Sequence, residues 1–462
     1  MDESLSKNIE ILNNMAKDMG LDYYPINYEV VPIEVMLEVV SYGLPTRARH
    51  WTYGQSYDYQ KMQGEMGFSK IYEVVLNNNP SYAFLLDTNS NIANTMVAAH
   101  VIGHVHFFKH NHLFKKTDRK MVYHAAQRAQ RIENYIEKYG IEEVEKWMDI
   151  AFSMDKNIDW HKGLDRSGYS DFKMKPRTKG LNFEFEDVIK KKNIDLESLF
   201  HFVETFPPHD EYDILWFLVN YSKMESWQKD IFEIIRNESY YFYPQYMTKI
   251  MNEGFASFIH AELMYKLDTL CPTDHLEFCK IHEKVVQPGA NNLNINPYFL
   301  GFTMLNDIKK KWDEKYENKE SEINGLQKIY KVIQEEDDIS FLRNYLTKDL
   351  ISELNMFTYV LKHDKKNGKI LEIESRDKDD VIESITKDLY NYRAPLICIK
   401  NASHDGLELE HVSSNIGTLD LKHLEKTMSY LFEVWRAPID IQTSDENQEV
   451  IHYTYDELGF SG

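Results

Sequence analysis

The sequence is short of cysteine, of positive charge and of long apolar runs. Its 462 residues include only three cysteines, Cys271, Cys279 and Cys398, so neither a disulfide framework nor a cysteine-based zinc site is indicated. Lys and Arg number 53 against 74 Asp and Glu, which gives a formal net charge of −21. An acidic surface repels phosphate backbones and anionic lipids, so nucleic-acid binding is not expected as a primary role.

Targeting and catalytic motifs are scarce as well. No stretch approaches the roughly 18 consecutive apolar residues of a membrane-spanning helix, and the first 20 residues lack the basic and apolar parts of a signal peptide. The sequence therefore predicts a cytoplasmic protein without a membrane span. It contains no glycine-rich phosphate loop, no G-x-S-x-G elbow and no cysteine with a nearby histidine signature.

What is present is material for a large core, 43% hydrophobic and 13% aromatic, with most apolar residues at helical spacing. We predict a mainly α N-terminal domain over residues 1–336, with residues 155–195 and 272–298 irregular. Its predicted helices cover 1–20, 29–42, 92–113, 118–150, parts of 196–270, and 299–333.

The pattern changes near residue 337. Two strand-like segments flank an Asn-Gly turn at 367–368, which is a strong hairpin signal. Helical and strand-like segments then alternate in the order ββαββαββ. The sequence therefore predicts a smaller C-terminal α+β domain over residues 337–462.

The stretch AAHVIGHVHFF places His100 and His104 four residues apart inside an apolar run. In a helix this spacing puts both imidazoles on one face, here the apolar face, so both should point into the protein. Buried imidazoles need partners for both ring nitrogens, and a bound metal supplies one. The spacing is that of the zinc-peptidase motif H-E-x-x-H, but Val101 stands where that motif has its catalytic glutamate.

The stretch PQYMTKIMNEGFASFIHAELM, residues 244–264, offers the matching half of a site. Pro244 suits a helix start, and Glu253 and His260 are two turns apart on one face. Gly254 inside this helix costs about 1 kcal/mol relative to Ala, so we expect another helix or a ligand to approach closely there.

Together the two helices predict a divalent-metal site for zinc, iron or manganese. The alternative is that these histidines are core residues bonded to buried carboxylates or carbonyls, with Glu253 pairing with His260 or with Arg236. The predicted ligands are His100, His104, Glu253 and His260.

Two further segments, RARHWTYG at 47–54 and KIYEVVLNNNPSYAFL at 70–85, place polar residues in aromatic surroundings. Glu73, interpreted as a buried acid on an apolar helix face, is the candidate catalytic group that replaces the missing glutamate, and Glu262 is the alternative. Caps, turns and solvated clusters are the competing interpretation of these segments. The candidates for a second layer around the metal are His106, Asn252, Tyr72 and His50.

Several long stretches of the chain follow a known family pattern: GLPTRARHW, IYEVVLNNNPSYAFLL, AAHVIGHVHFFKHN, PQYMTKIMNEGFASFIH, NINPYFLGF and, near the C-terminus, LELEHVSSNIGTLDLKHLEKTMSYLFEVWRAPIDIQT. They resemble the SpoVR family, the stage V sporulation protein R-like proteins of bacteria. The resemblance runs essentially from end to end. Phe255 stands where the family has Trp, and His106 and His110 stand in a segment whose typical form is GHxDFFKNN.

The resemblance implies a role in sporulation, in formation of the spore cortex, and protein partners that include a serine kinase system. The segment around Glu253 is also similar to one in gluzincin-type peptidases. That analogy implies a zincin-like helical core in which His100, His104 and Glu253 bind zinc. Three functions stay open: a metal-dependent hydrolase of peptide or cell-wall-related material, a catalytically inactive zincin-like scaffold or regulator, and a non-hydrolytic metalloprotein.

Overall fold

The computed structural model describes residues 2–65, 73–160, 166, 169, 206–288, 295–364, 368–389, 391, 394–412, 417–445 and 447–462. In these residues the fold is mostly helical, with a smaller sheet-containing region near the C-terminus, as the sequence predicts. The predicted division into 1–336 and 337–462 and the zincin-like core stay predictions. None of the helices in the described part of the chain has the length and apolarity needed to span a bilayer.

The described helices are α1 (Glu3–Asp18), α2 (Ile33–Tyr42), α3 (Trp51–Glu65), α4 (Asn91–His110), α5 (Met121–Tyr139), α6 (Ile141–Phe152), α7 (Ile214–Tyr221), α8 (Ser226–Met247), α9 (Lys249–Met264), α10 (Pro272–Val285), α11 (Pro297–Glu317), α12 (Gly325–Glu335), α13 (Asp338–Tyr345), α14 (Lys348–Glu353), α15 (Lys378–Leu389) and α16 (Leu421–Trp435), with a 3₁₀ turn at His112–Lys116.

The described strands are β1 (Ile26–Val31), β2 (Glu73–Leu76), β3 (Ser81–Leu86), β4 (Thr358–Asp364), β5 (Gly368–Ser375), β6 (Ile397–Ser403), β7 (Gly406–His411), β8 (Ile439–Ser444), β9 (Val450–Asp456) and β10 (Gly459–Ser461). The predicted order ββαββαββ is found over β4 to β9, and β10 follows it.

The chain forms two compact units, each made of two segments. The first unit combines Met1–Arg131 with Pro244–Tyr390. It holds the β4–β5 hairpin and a three-stranded sheet of order β1-β3-β2, in which β1 is parallel and β2 antiparallel to β3. A large cluster of buried apolar side chains in this unit is drawn mainly from α1, α4, α9, α11 and α12, and a smaller cluster lies between α2 and the three-stranded sheet.

The second unit combines Ile132–Tyr243 with Asn391–Gly462. Its sheet has the order β10-β9-β8-β7-β6 and is antiparallel except between β7 and β8. Helix α16 contributes buried side chains that include Leu424, Met428 and Leu431.

Three sequence predictions about elements are wrong. The predicted helix 29–42 starts too early, because residues 29–31 end the strand β1 and only Ile33–Tyr42 are helical, in α2, which ends at Gly43 with a φ of 70°. The segment 272–298 is not irregular throughout, because α10 starts with Pro272 in its first turn and Asp274 bonded to the Cys271 N–H. Pro244 lies inside α8 and does not start a helix.

Candidate metal centre

Helix α4 runs through the middle of the first unit's core. Its start is capped by Ser90, whose side chain accepts a hydrogen bond from the Ala93 N–H. His100 and His104 are both buried, with ring centroids 4.5 Å apart, as the spacing predicts. Val101 is fully buried in the apolar core, so its position supplies no base.

Small residues let three helices approach one another at this point. A Cβ atom on Gly103 of α4 would lie 2.7 Å from the Cα atom of Ala256 in α9. A Cβ atom on Gly254 of α9 would lie 2.4 Å from the Cα atom of Gly301 in α11. The predicted close approach at Gly254 is therefore confirmed, and the approaching element is α11.

This packing gathers two imidazoles and two carboxylates around one point. His100 Nε2 lies 3.3 Å from Glu73 Oε1 and 3.5 Å from Glu253 Oε2. His104 Nε2 lies 4.0 Å from Glu73 Oε1 and 3.4 Å from Glu253 Oε2. Ligand atoms of Glu73, His100 and His104 all lie within 4.8 Å of one another, a group that could hold a metal ion.

The spacing of these atoms fits a metal better than it fits direct ion pairs. Charge-assisted N–H···O bonds are about 2.7–2.9 Å long, shorter than any of these contacts. Four ligand atoms about 2.1 Å from a tetrahedral zinc lie about 3.4 Å from one another. Moreover, among the described residues His100 Nε2 and Glu253 Oε2 are buried without a hydrogen-bond partner, and a metal would satisfy both.

The other ring nitrogens of the two histidines are held by hydrogen bonds. His104 Nδ1 donates to Asn252 Oδ1 over 2.9 Å. His100 Nδ1 lies 2.9 Å from His260 Nδ1, and His260 Nε2 lies 2.7 Å from His282 Nδ1. Such outer bonds fix the orientation and tautomer of metal-binding histidines.

The two carboxylates differ in acidity. Burial favours the neutral form of Glu253, but the close approach and charge of the His100 and His104 imidazoles outweigh it and hold the pKa of Glu253 well below its ordinary value. Burial dominates at Glu73, and with the charge of Glu253 it raises the pKa of Glu73 despite the two histidines. Glu253 is thus the fixed anion and Glu73 the carboxylate that binds a proton more readily.

Tyr298, in the first turn of α11, closes one side of the cluster. Its ring stacks on His100 with centroids 6.0 Å apart. The charge of Glu253 and then burial raise the pKa of Tyr298 well above its ordinary value. Tyr298 therefore stays a neutral hydroxyl beside the two carboxylates.

The structure brings three of the four predicted ligands to one point and places the fourth, His260, behind them. His100, His104 and Glu253 point at the common centre, together with Glu73. His260 instead has one ring nitrogen on His100 and the other on His282. Glu73 is largely buried as predicted, but it begins a strand and not a helix, because the run that follows it pairs with β3.

The predicted second layer is only partly gathered here. Asn252 bonds His104. His106 points elsewhere, accepting at Nδ1 from the Asp22 N–H over 3.0 Å, and burial lowers its pKa to about 3. His50 bonds Thr52 and lies against Trp51 and Tyr53. Tyr72 lies outside the described residues.

Sequence reasoning missed His282 and Tyr298. His282 lies in the segment 272–298, which is predicted to be irregular although Pro272 followed by Asp274 is a recognisable helix start. Tyr298 follows Asn296 and Pro297, a comparable signal: the Asn296 side chain accepts from the Tyr298 N–H and begins α11.

A second group with metal-ligand chemistry occurs in the second unit, among the described residues. It consists of Asp210, Cys398 and Glu410. Lys400 bonds both carboxylates, at 2.9 Å to Asp210 and 3.0 Å to Glu410. One of the two carboxylate charges of this cluster is therefore already balanced without an ion.

Comparison with known proteins agrees with the resemblance in the sequence. The profile of the family described as "SpoVR like protein" matches residues 2–394 of the chain. The chain belongs to the SpoVR-like family. This SpoVR-like chain is 28% identical over 475 residues to "Uncharacterized protein YcgB" of Escherichia coli (strain K12), with 95% of the chain and 91% of that protein covered. No solved structure matches it.

Proposed function

We propose that this SpoVR-like protein is a metal-dependent hydrolase of peptide or cell-wall-related amide bonds. The observation that carries the proposal is the convergence of two histidine Nε2 atoms and two carboxylates with opposite pKa shifts on one point. A role in spore cortex formation, acting on precursors, is expected from the family resemblance.

In this proposal His100, His104 and Glu253 hold a divalent metal ion. Such an ion polarises a carbonyl oxygen and lowers the pKa of bound water. Glu73 accepts the proton of the attacking water, the task that the glutamate of H-E-x-x-H performs in zinc peptidases. Burial raises the pKa of Glu73, which is the direction that favours uptake of a proton from water by a general base.

The experiment compares E253Q with E73Q in protein purified without a histidine tag. Metal content is measured by mass spectrometry of the elements, and hydrolysis with a panel of peptides and soluble cell-wall fragments. We expect E253Q to lose both metal and activity. E73Q should keep the metal and lose about 100- to 10,000-fold in kcat, the usual contribution of a general base.

H106N is the control, because His106 is a buried histidine of α4, the helix that carries His100 and His104, but it accepts a hydrogen bond from the Asp22 N–H and points away from the centre. It should keep both metal and activity. Wild-type protein without bound metal would overturn the proposal. Loss of metal from E73Q would instead make Glu73 a ligand and remove it as the base.

A second candidate is a metal-free or metal-bound scaffold that works through protein partners, including a serine kinase system. The observation in its favour is Val101, whose position in the apolar core rules out the usual glutamate base there. Rescue of a spore defect by E253Q as complete as rescue by wild type would favour the scaffold over the hydrolase.

A further inference from the structure

Three imidazoles form a continuous hydrogen-bonded row behind the candidate metal centre. They are His100 of α4, His260 of α9 and His282 of α10, joined by N···N distances of 2.9 Å and 2.7 Å. We propose that His260 and His282 are positioning residues that hold His100 in the tautomer whose Nε2 atom is free to bind a metal. This inference rests on the metal site of the proposed function.

When all three rings are neutral, the hydrogen bonds of the row have only two possible directions. Either each ring donates to the next from His100 to His282, or each donates from His282 to His100. Each N···N bond contains one hydrogen, and each neutral imidazole has one N–H. If His100 Nδ1 carries the hydrogen, His260 accepts at Nδ1 and donates from Nε2, and His282 accepts at Nδ1. Reversing one bond reverses the other, so the orientation of His282 is coupled to the state of His100.

Only one of these directions allows a metal. With His100 Nδ1 protonated, His100 Nε2 presents its lone pair to the point that it shares with Glu73 and Glu253. In the reverse direction His100 Nε2 carries the hydrogen and points it at the two carboxylates, 3.3 and 3.5 Å away. Metal binding and the reverse direction therefore exclude each other.

The second ligand histidine provides an internal comparison. His104 Nδ1 bonds the side-chain oxygen of Asn252, which can only accept, so its tautomer is fixed by one neighbour. His100 has no such fixed acceptor, because a histidine can donate or accept. His282, the last ring of the row, must therefore help to decide the direction of the hydrogen bonds.

The two outer rings are held in place by burial and aromatic neighbours. His260 is fully buried and meets Phe278 edge-on, with centroids 6.4 Å apart. His282 stacks on Phe278 at 5.6 Å and meets the Phe302 ring at 5.2 Å. Rings confined in this way keep their nitrogens aligned with the row, as a positioning role requires.

The geometry also explains why His260 is not used as a ligand. Both of its ring nitrogens are engaged within the row, one with His100 and one with His282. Glu253 and His260, seven residues apart in α9, both lie next to His100. Glu253 faces its Nε2 atom and His260 faces its Nδ1 atom.

Paired substitutions test the inference through zinc affinity. An asparagine Oδ1 takes nearly the place of a histidine Nδ1 and can only accept, so H260N and H282N should preserve the metal-binding tautomer of His100. H260L and H282L fill the space but accept nothing. We expect both Leu variants to bind zinc about 10- to 100-fold more weakly, and both Asn variants to stay close to wild type.

The measurements are zinc dissociation constants from competition with a chromogenic chelator, and melting temperatures of the metal-free proteins. A role in packing alone predicts the reverse order, since Leu suits an apolar aromatic pocket better than Asn. The pair H106N and H106L is the control and should leave zinc affinity unchanged. If H260L does not fold, the outer H282L and H282N pair still decides the question.

Zinc affinity of the Leu variants equal to wild type, or of the Asn variants as low as the Leu variants, would overturn the positioning role. Failure of the wild-type protein to bind zinc would overturn the metal site itself. Nitrogen-15 spectra of histidine-labelled protein add a direct readout, because zinc-loaded wild type should show His100 protonated at Nδ1.

Discussion

Asp338 is a single buried carboxylate that anchors the helix carrying Glu253. Its two oxygens accept hydrogen bonds from the N–H groups of Ile250 and Met251, at 2.8 and 2.9 Å. Thr248, at the start of α9, makes no side-chain cap of its own. Asp338 therefore caps the N-terminus of α9 from a distant part of the chain.

We expect D338N to lower the free energy of unfolding by about 1–2 kcal/mol at pH 5, because the Asn amide replaces one acceptor by a donor. Burial raises the pKa of Asp338 to about 8 from 3.8. An acid with a raised folded-state pKa loses stabilisation as pH rises between those values. Asn does not titrate, so the difference in free energy of unfolding between wild type and D338N should narrow between pH 5 and 8. Urea titrations at each pH measure this difference.

D337N is the control for that measurement. Asp337 caps the neighbouring helix α13 through the Ser340 N–H, and Asn is an equally good cap there. Its free energy of unfolding at pH 5 should therefore stay close to that of wild type. A D338N deficit that grows with pH would contradict the buried, proton-retaining Asp338.

Individual site residues were predictable where they repeat at helical spacing in an apolar run. His100 and His104 could be found this way because α4 is long and uniformly apolar around them. The place of His260 could not, because spacing fixes the face of a helix and not which neighbour meets it. The same holds for Glu73, whose meeting with α4 depends on strand pairing with β3.

At the scale of elements, the contact between α9 and α11 fixes the position of the Glu253 backbone. Gly254 and Gly301 face each other, and a Cβ atom on Gly301 would lie 2.1 Å from the Ile250 carbonyl oxygen. Backbone atoms on both sides cannot rotate away as a side chain would. The crossing therefore tolerates glycine alone at these positions.

G254A should lower the free energy of unfolding by about 1–3 kcal/mol, the usual cost of overpacking. This is the opposite of the effect in an uncrowded helix, where Ala is more stabilising than Gly by about 1 kcal/mol. It should also weaken zinc binding, since Glu253 must shift with its neighbour. G54A in α3 is the matched control, because a Cβ atom there meets nothing within 4 Å. Urea unfolding and chelator competition measure both effects, and an unchanged G254A would refute the tight crossing.

Elements themselves were largely predictable, and their ends were not. Periodicity predicted α1, α4, α11 and the β4–β5 hairpin, whose signals are local. It failed at β1, where EVV continues into the apolar residues of α2, because a strand paired with β3 depends on residues some 55 positions away. Pairing partners of that kind leave no mark in a local pattern.

For the whole molecule, the candidate metal centre belongs entirely to the first compact unit. Every residue at its centre or in the histidine row lies within Met1–Arg131 or Pro244–Tyr390. These two segments are far apart in sequence and meet through α4, α9 and α11. A metal that binds only the folded site stabilises that unit by mass action, by about 2.7 kcal/mol at a free concentration 100 times its Kd.

Hydrogen exchange followed by mass spectrometry should resolve this stabilisation along the chain. Removing zinc with a chelator should speed exchange of peptides from α4, α9 and α11, because local opening no longer competes with binding. Peptides from α16 and the five-stranded sheet should exchange at the same rate with and without zinc, since no predicted ligand lies in the second unit. E253Q should show no zinc-dependent change anywhere. Protection by zinc confined to the second unit would place the metal at the Asp210, Cys398 and Glu410 cluster instead.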